Sequence, residues 1–219
     1  MLHKEAVKRE TFELLTTLMR DEELQSFNLA GGTALALYMG HRLSLDLDFF
    51  TPVPFDARKL ENYLIKKYRF RGDFLEKNTL KGSIDGVKID YITHDYPFVE
   101  MPETTREGVR LYGIRDIAAM KLSVIADNGT RLKDFIDIAC LSTRIPLSAM
   151  LQAYQSKYPM SNLIRPVKGL AFYNDINFKE PVQMIGGSYK WDKIEKRLNH
   201  MIKCDTRVFA DLPIEFKAD

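Results

Sequence analysis

Two aspartates, Asp46 and Asp48, stand one residue apart and alternate with Leu45, Leu47 and Phe49. Such alternation predicts a β-strand, on which residues i and i+2 point to the same face. We expect the three apolar residues to form the buried face and the carboxylates to lie side by side on the other. Two like charges this close favour a cation between them, and hard oxygen ligands suit Mg²⁺. The pair predicts a site for Mg²⁺ or Mn²⁺, with two ordinary surface aspartates as the alternative.

A glycine pair, Gly31 and Gly32, precedes the aspartates by about one short helix. The preceding FNLA predicts a strand, Thr33 is a predicted helix N-cap, and Gly40 ends the helix. Glycine lets the backbone approach a ligand closely, and the N–H groups of a helix N-terminus attract phosphate. We therefore expect Gly31, Gly32 and Thr33 to bind phosphate beside the metal strand. An ordinary tight turn is the alternative.

A third acidic residue, Asp90, lies in another predicted strand, GVKIDYIT. Three carboxylates from two adjacent strands fit metal-assisted phosphoryl chemistry. We predict Asp90 as a third metal ligand or as the group that assists deprotonation. Ser44 is expected on the same strand face as Asp46 and Asp48, where it could bind phosphate or a metal-bound water. Arg42 could contact phosphate or clamp its loop.

Predicted helices in the second half of the chain carry further charges. Lys121 lies beside an apolar helix face, from which its ammonium could reach solvent or a triphosphate. Asp134 and Asp137 are three residues apart and share a helix face. Arg131 and Lys133 could neutralise them in an ordinary surface patch.

Taken together, these motifs resemble the AbiEii/AbiGii-type nucleotidyltransferases, the toxins of type IV toxin–antitoxin systems and distant members of the DNA polymerase β-like superfamily. The matching segments are GGTAL, GHR-x-S-x-D-x-DFF and IAAMKLSVIADNGTRLKDFIDIACL, within roughly residues 28–145. The resemblance implies Lys121 as an essential lysine and Asp134 or Asp137 as an active-site acid.

The same resemblance implies a reaction and partners. An NMP would move from a Mg²⁺-bound NTP to a hydroxyl acceptor such as a tRNA end, and a cognate antitoxin would bind the protein. Two alternatives remain open: a DxD-type nucleotide-sugar glycosyltransferase, and a nucleotidyltransferase-like module that binds without catalysis.

Composition indicates a globular protein without a membrane span. Of 219 residues, 45% are hydrophobic and 28% charged, and no apolar run approaches the roughly 20 residues of a span. The charged N-terminus has no signal-peptide pattern, and two cysteines, Cys140 and Cys204, form no disulfide framework. We expect a cytoplasmic protein. A net charge of +2 permits an RNA partner without requiring one.

The order of predicted elements indicates an α+β fold, with a nucleotidyltransferase-like mixed sheet and flanking helices followed by a mostly helical region. We place an α/β domain at 1–112 and a helical domain at 113–219. A first helix is predicted over 4–20, and a hairpin turn at Asp85–Gly86. Aromatic and basic residues of the helical region predict either core packing or an RNA-stacking surface: Tyr154, Tyr158, Phe172, Tyr173, Tyr189 and Trp191, with Lys157, Arg165, Lys168, Lys190, Lys193, Lys196 and Arg197.

Overall fold

Seven strands form one mixed sheet in a computed structural model that describes residues 2–216. The strand order is β3-β4-β5-β2-β1-β7-β6, and β8 and β9 form a separate two-stranded sheet. The central strand β2 is antiparallel to β1 and parallel to β5. The strands are β1 (Asn28–Leu29), β2 (Leu47–Thr51), β3 (Arg71–Glu76), β4 (Thr79–Ile84), β5 (Val87–Thr93), β6 (Glu103–Thr104), β7 (Arg110–Leu111), β8 (Gly187–Ser188) and β9 (Glu215–Phe216).

Helices flank the sheet and make up most of the chain after β7. They are α1 (Arg9–Met19), α2 (Gly31–Met39), α3 (Ala57–Tyr68), α4 (Ile114–Asp127), α5 (Leu132–Leu141), α6 (Leu147–Lys157), α7 (Ile164–Leu170) and α8 (Trp191–Lys203). Helix α2 is apolar along most of its length and packs against α4 and α5. The predicted α+β class is therefore confirmed.

Local sequence signals account for several of these boundaries. Gly40 ends α2 in the left-handed conformation, which costs glycine little. Asp56 caps α3 by accepting hydrogen bonds from the N–H groups of Arg58 and Lys59. Asp85 and Gly86 both have positive φ and connect β4 to β5, as a two-residue hairpin turn requires.

The predicted single helix over 4–20 is wrong. A 3₁₀ turn covers Lys4–Ala6, Val7 is extended, and α1 begins at Arg9. The Ala6 carbonyl accepts a hydrogen bond from the Ser44 N–H at 2.8 Å. This long-range bond uses a backbone group that a continuous helix would need. The short strands β6, β8 and β9 were not predicted, because two-residue strands carry too little pattern to detect.

A single hydrophobic core runs from the sheet into the helical region. Tyr154, Tyr158 and Lys157 are buried in it, and the Lys157 ammonium pairs with Asp116 at 2.7 Å. These three residues therefore belong to the core and not to a stacking surface. The proposed boundary at 112/113 falls between β7 and α4 and stays a prediction. Within residues 2–216, no helix is long and apolar enough to cross a membrane.

Candidate active site

A cleft of about 380 Å³ lies over one half of the main sheet. Four strands and the residue before α5 contribute to its walls. The lining residues are Asp46, Asp48, Asp73, Phe74, Lys81, Gly82, Lys88, Asp90 and Arg131. The cleft thus brings together the three aspartates that the sequence selects, and it adds Asp73 as a fourth carboxylate.

The register of β2 and β5 places Asp48 directly beside Asp90. Leu47 and Phe49 are buried behind them, as predicted. Leu45 is not: its side chain is 55% exposed, because β2 begins only at Leu47. Asp46 therefore lies just before the strand, at the exposed rim of the cleft, and not on the strand itself.

Burial, with a smaller contribution from the negative charges of Asp90 and Asp46, raises the pKa of Asp48 to about 6. The positive charges of Arg131 and Lys121 lower the Asp48 pKa, but by less than burial and the two aspartates raise it. Within residues 2–216 the Asp48 carboxylate accepts no side-chain hydrogen bond that would stabilise its charge. The cleft therefore holds more negative charge than its own cations compensate.

Asp90 is already paired, since the Lys81 ammonium donates to its carboxylate at 2.7 Å. In the part of the chain that the structure describes, no three His, Cys, Asp or Glu side chains form a cluster able to hold a metal ion. Within the described residues a three-carboxylate metal cage is therefore not preformed, and Lys81 occupies one oxygen of Asp90. Its roles as ligand or base stay predictions.

The N-terminus of α2 abuts the Asp48 carboxylate. Gly31 has a φ of +66°, and a Cβ there would collide with Asp48, so only glycine fits. A Cβ on Gly32 would lie 2.5 Å from the Arg42 guanidinium. The first hydrogen bond into the helix runs from the Ala34 N–H to the Ala30 carbonyl. The preceding N–H groups, from Gly31 to Thr33, are thus available to a ligand.

Thr33 is not the N-cap, because α2 begins at Gly31 with Ala30 in the cap position. Its buried hydroxyl donates to the Asp46 carbonyl, and its oxygen lies 2.8 Å from the Ser44 hydroxyl. Ser44 is likewise buried and precedes the strand. Both hydroxyls therefore connect the start of α2 to the aspartate segment, and phosphate binding by Thr33 or Ser44 stays a prediction.

Asp137 is fully buried and is contacted by three basic side chains. Arg42 forms two bonds to it, from Nε at 2.7 Å and Nη2 at 2.8 Å. The Lys121 ammonium lies 2.7 Å away, and His41 Nε2 contacts the same carboxylate at 2.7 Å. Arg42 and Lys121 keep the pKa of Asp137 well below its usual range in spite of burial.

Lys121 also donates to Asp134 at 2.8 Å, so two carboxylates face two permanent cations. Burial lowers the pKa of His41, which leaves it neutral. The charges in this cluster therefore balance. We call His41, Arg42, Lys121, Asp134 and Asp137 the buried ion network.

The buried ion network differs from the sequence-based expectations. Asp134 and Asp137 are interior residues and not a surface patch, and Lys133 pairs instead with Glu180 at 3.1 Å. Arg42 is buried and acts as the loop clamp. Lys121 is buried with its ammonium committed to the aspartates, so its contact with a triphosphate stays a prediction.

Sequence patterns assign no role to His41, yet it belongs to the buried ion network. Its one usable signal is its position beside Arg42 in an otherwise apolar stretch. Nothing local identifies its partner, which lies 96 residues further along the chain.

Comparisons with known proteins identify a family, a relative and a solved structure that this chain resembles. A family model described as nucleotidyl transferase AbiEii toxin of type IV toxin–antitoxin systems matches residues 13–197. An uncharacterized protein of Aquifex aeolicus (strain VF5) is 33% identical over 202 residues, covering 90% of this chain and 96% of that protein. MenT4, a nucleotidyltransferase toxin from Mycobacterium tuberculosis H37Rv, has a similar structure. Its TM-score is 0.60 at 16% identity, over 92% of this chain and 83% of that chain.

Asp137→Asn should lower the free energy of unfolding by about 3–5 kcal/mol, because it leaves two buried cations facing one remaining carboxylate. Urea unfolding followed by circular dichroism measures the change. Asp127→Asn is the matched control, since Asp127 is an exposed aspartate paired with Arg165; it should cost less than about 1 kcal/mol. Equal effects of the two substitutions would show that the buried ion network does not stabilise the fold.

Asp48→Asn should stabilise the protein at pH 8 in EDTA by about 1–3 kcal/mol, because a raised pKa means that ionised Asp48 destabilises the folded state. The gain should shrink as pH falls from 6 to 4, where Asp48 is increasingly protonated in the folded state. Thermal unfolding across this pH range measures it. A variant less stable than wild type at pH 8 contradicts the strained-carboxylate description.

Proposed function

The chain belongs to the AbiEii nucleotidyltransferase toxin family, and from this premise we propose that it transfers an NMP from a metal-bound NTP to a hydroxyl of RNA. The observation that carries the proposal is the contact between the α2 turn and the aspartate strand. The Ala30 N–H donates to the Asp48 carbonyl at 2.9 Å, and the Gly31 backbone lies against the Asp48 carboxylate. A phosphate group and a cation bound at these two places would be neighbours.

We assign phosphate binding to the backbone N–H groups of Gly31, Gly32 and Thr33. These groups point outward from the start of α2 and carry the positive end of its dipole. Arg42 and Ser44 contribute indirectly. The Arg42 guanidinium lies beside Gly32, and Ser44 contacts Thr33, so both fix the turn.

Asp46 and Asp48 would hold the divalent cation. The fit rests on their chemistry: oxygen donors in a cleft whose negative charge raises the Asp48 pKa. Two carboxylates are sufficient, since Mg²⁺ usually takes one or two together with substrate phosphates. When bound, the cation supplies charge neutralisation at the phosphates and polarises the phosphorus that is attacked.

We propose that Asp90 accepts the proton of the attacking hydroxyl at a carboxylate oxygen. In the unliganded chain Lys81 donates to one oxygen of this carboxylate, and we expect the lysine to turn away when substrate binds. Lys81 is partly exposed and sits on a neighbouring strand, which leaves it room to swing toward the phosphates. The pyrophosphate leaving group would then meet a cation.

The buried ion network positions these groups without touching the substrate. The negative charges of Asp134 and Asp137 neutralise the positive charges of Lys121 and Arg42. The Arg42 guanidinium also packs against the backbone at Gly32. Lys121 could contact the triphosphate only if a phosphate group replaced one of its two aspartate partners.

The acceptor and partners are also part of the proposal. RNA, such as a tRNA end, supplies the hydroxyl, and a cognate antitoxin restrains the activity in the cytoplasm. The family assignment favours this reaction over nucleotide-sugar glycosyl transfer. Transfer of labelled NMP from NTP to RNA distinguishes this enzyme from the non-catalytic alternative.

Asp46→Ala and Asp48→Ala should each reduce transfer of labelled NMP to total RNA by at least about 100-fold, because each removes a cation ligand. Transfer is measured with each labelled NTP and Mg²⁺, and circular dichroism verifies the fold. Asp73→Ala is the matched control: it removes a carboxylate from the same cleft but not from the DxD pair. It should retain activity within about 10-fold. Full activity of Asp48→Ala contradicts the mechanism, and inactivity of wild type with all four NTPs supports the non-catalytic alternative.

A further inference from the structure

A second cleft, of about 340 Å³, lies between α8 and the segment that follows it, well outside the catalytic cleft. Its lining contains five basic side chains and no acidic one. The lining residues are Lys193, Lys196, Arg197, His200, Arg207, Phe209, Leu212, Pro213 and Ile214. We call this surface the basic groove.

Among the residues that the structure describes, most cations of the basic groove have no carboxylate partner. Arg197 donates to the Ser142 hydroxyl at 2.9 Å and to the Asp211 carbonyl at 2.7 Å, both uncharged acceptors. Within residues 2–216, neither Lys196 nor Arg207 forms an ion pair, whereas Lys193 shares Glu215 with Lys190. The groove therefore keeps uncompensated positive charge in a chain that is otherwise nearly neutral.

Two of these cations stack against one aromatic ring. The Arg197 guanidinium lies 4.1 Å from the centroid of the Phe209 ring, and that of Arg207 lies 5.1 Å away. Stacking on the ring holds both guanidinium groups in place. Arg197 already uses Nη1 and Nη2 in the bonds to Ser142 and Asp211, and Arg207 Nη1 lies 3.3 Å from His200 Nε2. Among residues 2–216 the other guanidinium N–H groups of Arg207 have no partner, so they can bind an anion. His200 packs edge-on against the same ring. Two guanidinium groups, two lysines and a histidine thus line one concave surface.

The basic groove is connected to the catalytic cleft by a single helix. Arg131, which lines the catalytic cleft, directly precedes α5, and Ser142, which Arg197 contacts, directly follows it. Phe209 is also bound there, through its N–H to the Ser142 carbonyl at 3.0 Å. The ten residues of α5 span about 15 Å at 1.5 Å per residue. The two clefts are therefore separated by the length of a few nucleotides.

From this arrangement we propose that the basic groove binds the phosphate backbone of the RNA acceptor, a few nucleotides from the hydroxyl that lies in the catalytic cleft. The inference rests on the proposed function, since it assumes an RNA acceptor. Phosphodiesters fit because they offer repeated anionic oxygens to guanidinium and ammonium donors without requiring base recognition. The groove binds the backbone of the RNA strand and does not distinguish between bases.

The test compares Lys196→Ala/Arg207→Ala with wild type in binding to fluorescein-labelled total tRNA. Both residues are exposed, so the double variant should fold normally. Losing two phosphate contacts should make the plot of log binding constant against log salt shallower by about 1.4–1.8. The matched control is Lys59→Ala/Lys66→Ala, which removes two exposed, unpaired lysines from α3. It should leave that slope unchanged.

Activity assays separate this inference from the proposed function. The double variant should raise the KM for RNA at least about 10-fold while thermal stabilisation by Mg²⁺–NTP stays as in wild type. If wild type labels RNA and the double variant matches the control, the basic groove does not bind the acceptor. If wild type labels and binds no RNA, the acceptor assignment fails along with the groove. Loss of binding to an acidic polyglutamate peptide with unchanged tRNA binding overturns the proposal in favour of a protein partner.

Discussion

A carboxylate cannot remain ionised in a protein interior unless cations compensate it, and Asp137 meets this condition in a way that shapes the molecule. Its partners come from two distant places, the loop after α2 and the middle of α4. Holding the charge therefore requires the loop and the two helices to meet at one point. Because that loop continues into the aspartate strand, one buried charge fixes the start of α2 and the DxD pair relative to the helical half. The continuous hydrophobic core then fills the space around this contact.

The charges of the protein interior are balanced, whereas those of the cleft are not. The buried ion network is balanced, and every cation in it has a carboxylate within hydrogen-bonding distance. The cleft has an excess of carboxylates, and burial together with the charges of Asp90 and Asp46 raises the Asp48 pKa to about 6. Such an excess destabilises the unliganded chain and favours a bound cation. Lys81 on Asp90 relieves part of the repulsion until a ligand arrives.

Local signals were sufficient for much of the fold and for bringing three aspartates to one cleft, but they did not select Asp73 or Lys81. A helix-ending glycine, a hairpin turn and period-two alternation are short-range effects, and they predicted α2, the β4–β5 hairpin and the adjacency of Asp48 and Asp90. The buried ion network could not be found in this way. Its pairs are separated by up to 96 residues, and Lys121 or Asp134 looks the same in sequence whether it faces solvent or another charge. Thr33 was misjudged for a related reason: a threonine after two glycines predicts a cap, whereas here a long-range bond to Asp46 places it inside the helix.

We propose that the start of α2 and the aspartate strand form a single site for a metal-bound triphosphate. A crystal structure with Mg²⁺ and a non-hydrolysable NTP analogue would show whether they do. We expect phosphate oxygens on the N–H groups of Gly31 and Gly32, an ion between Asp46 and Asp48, and Lys81 turned away from Asp90. Triphosphate bound elsewhere, with these N–H groups free and no ion at Asp48, would contradict it.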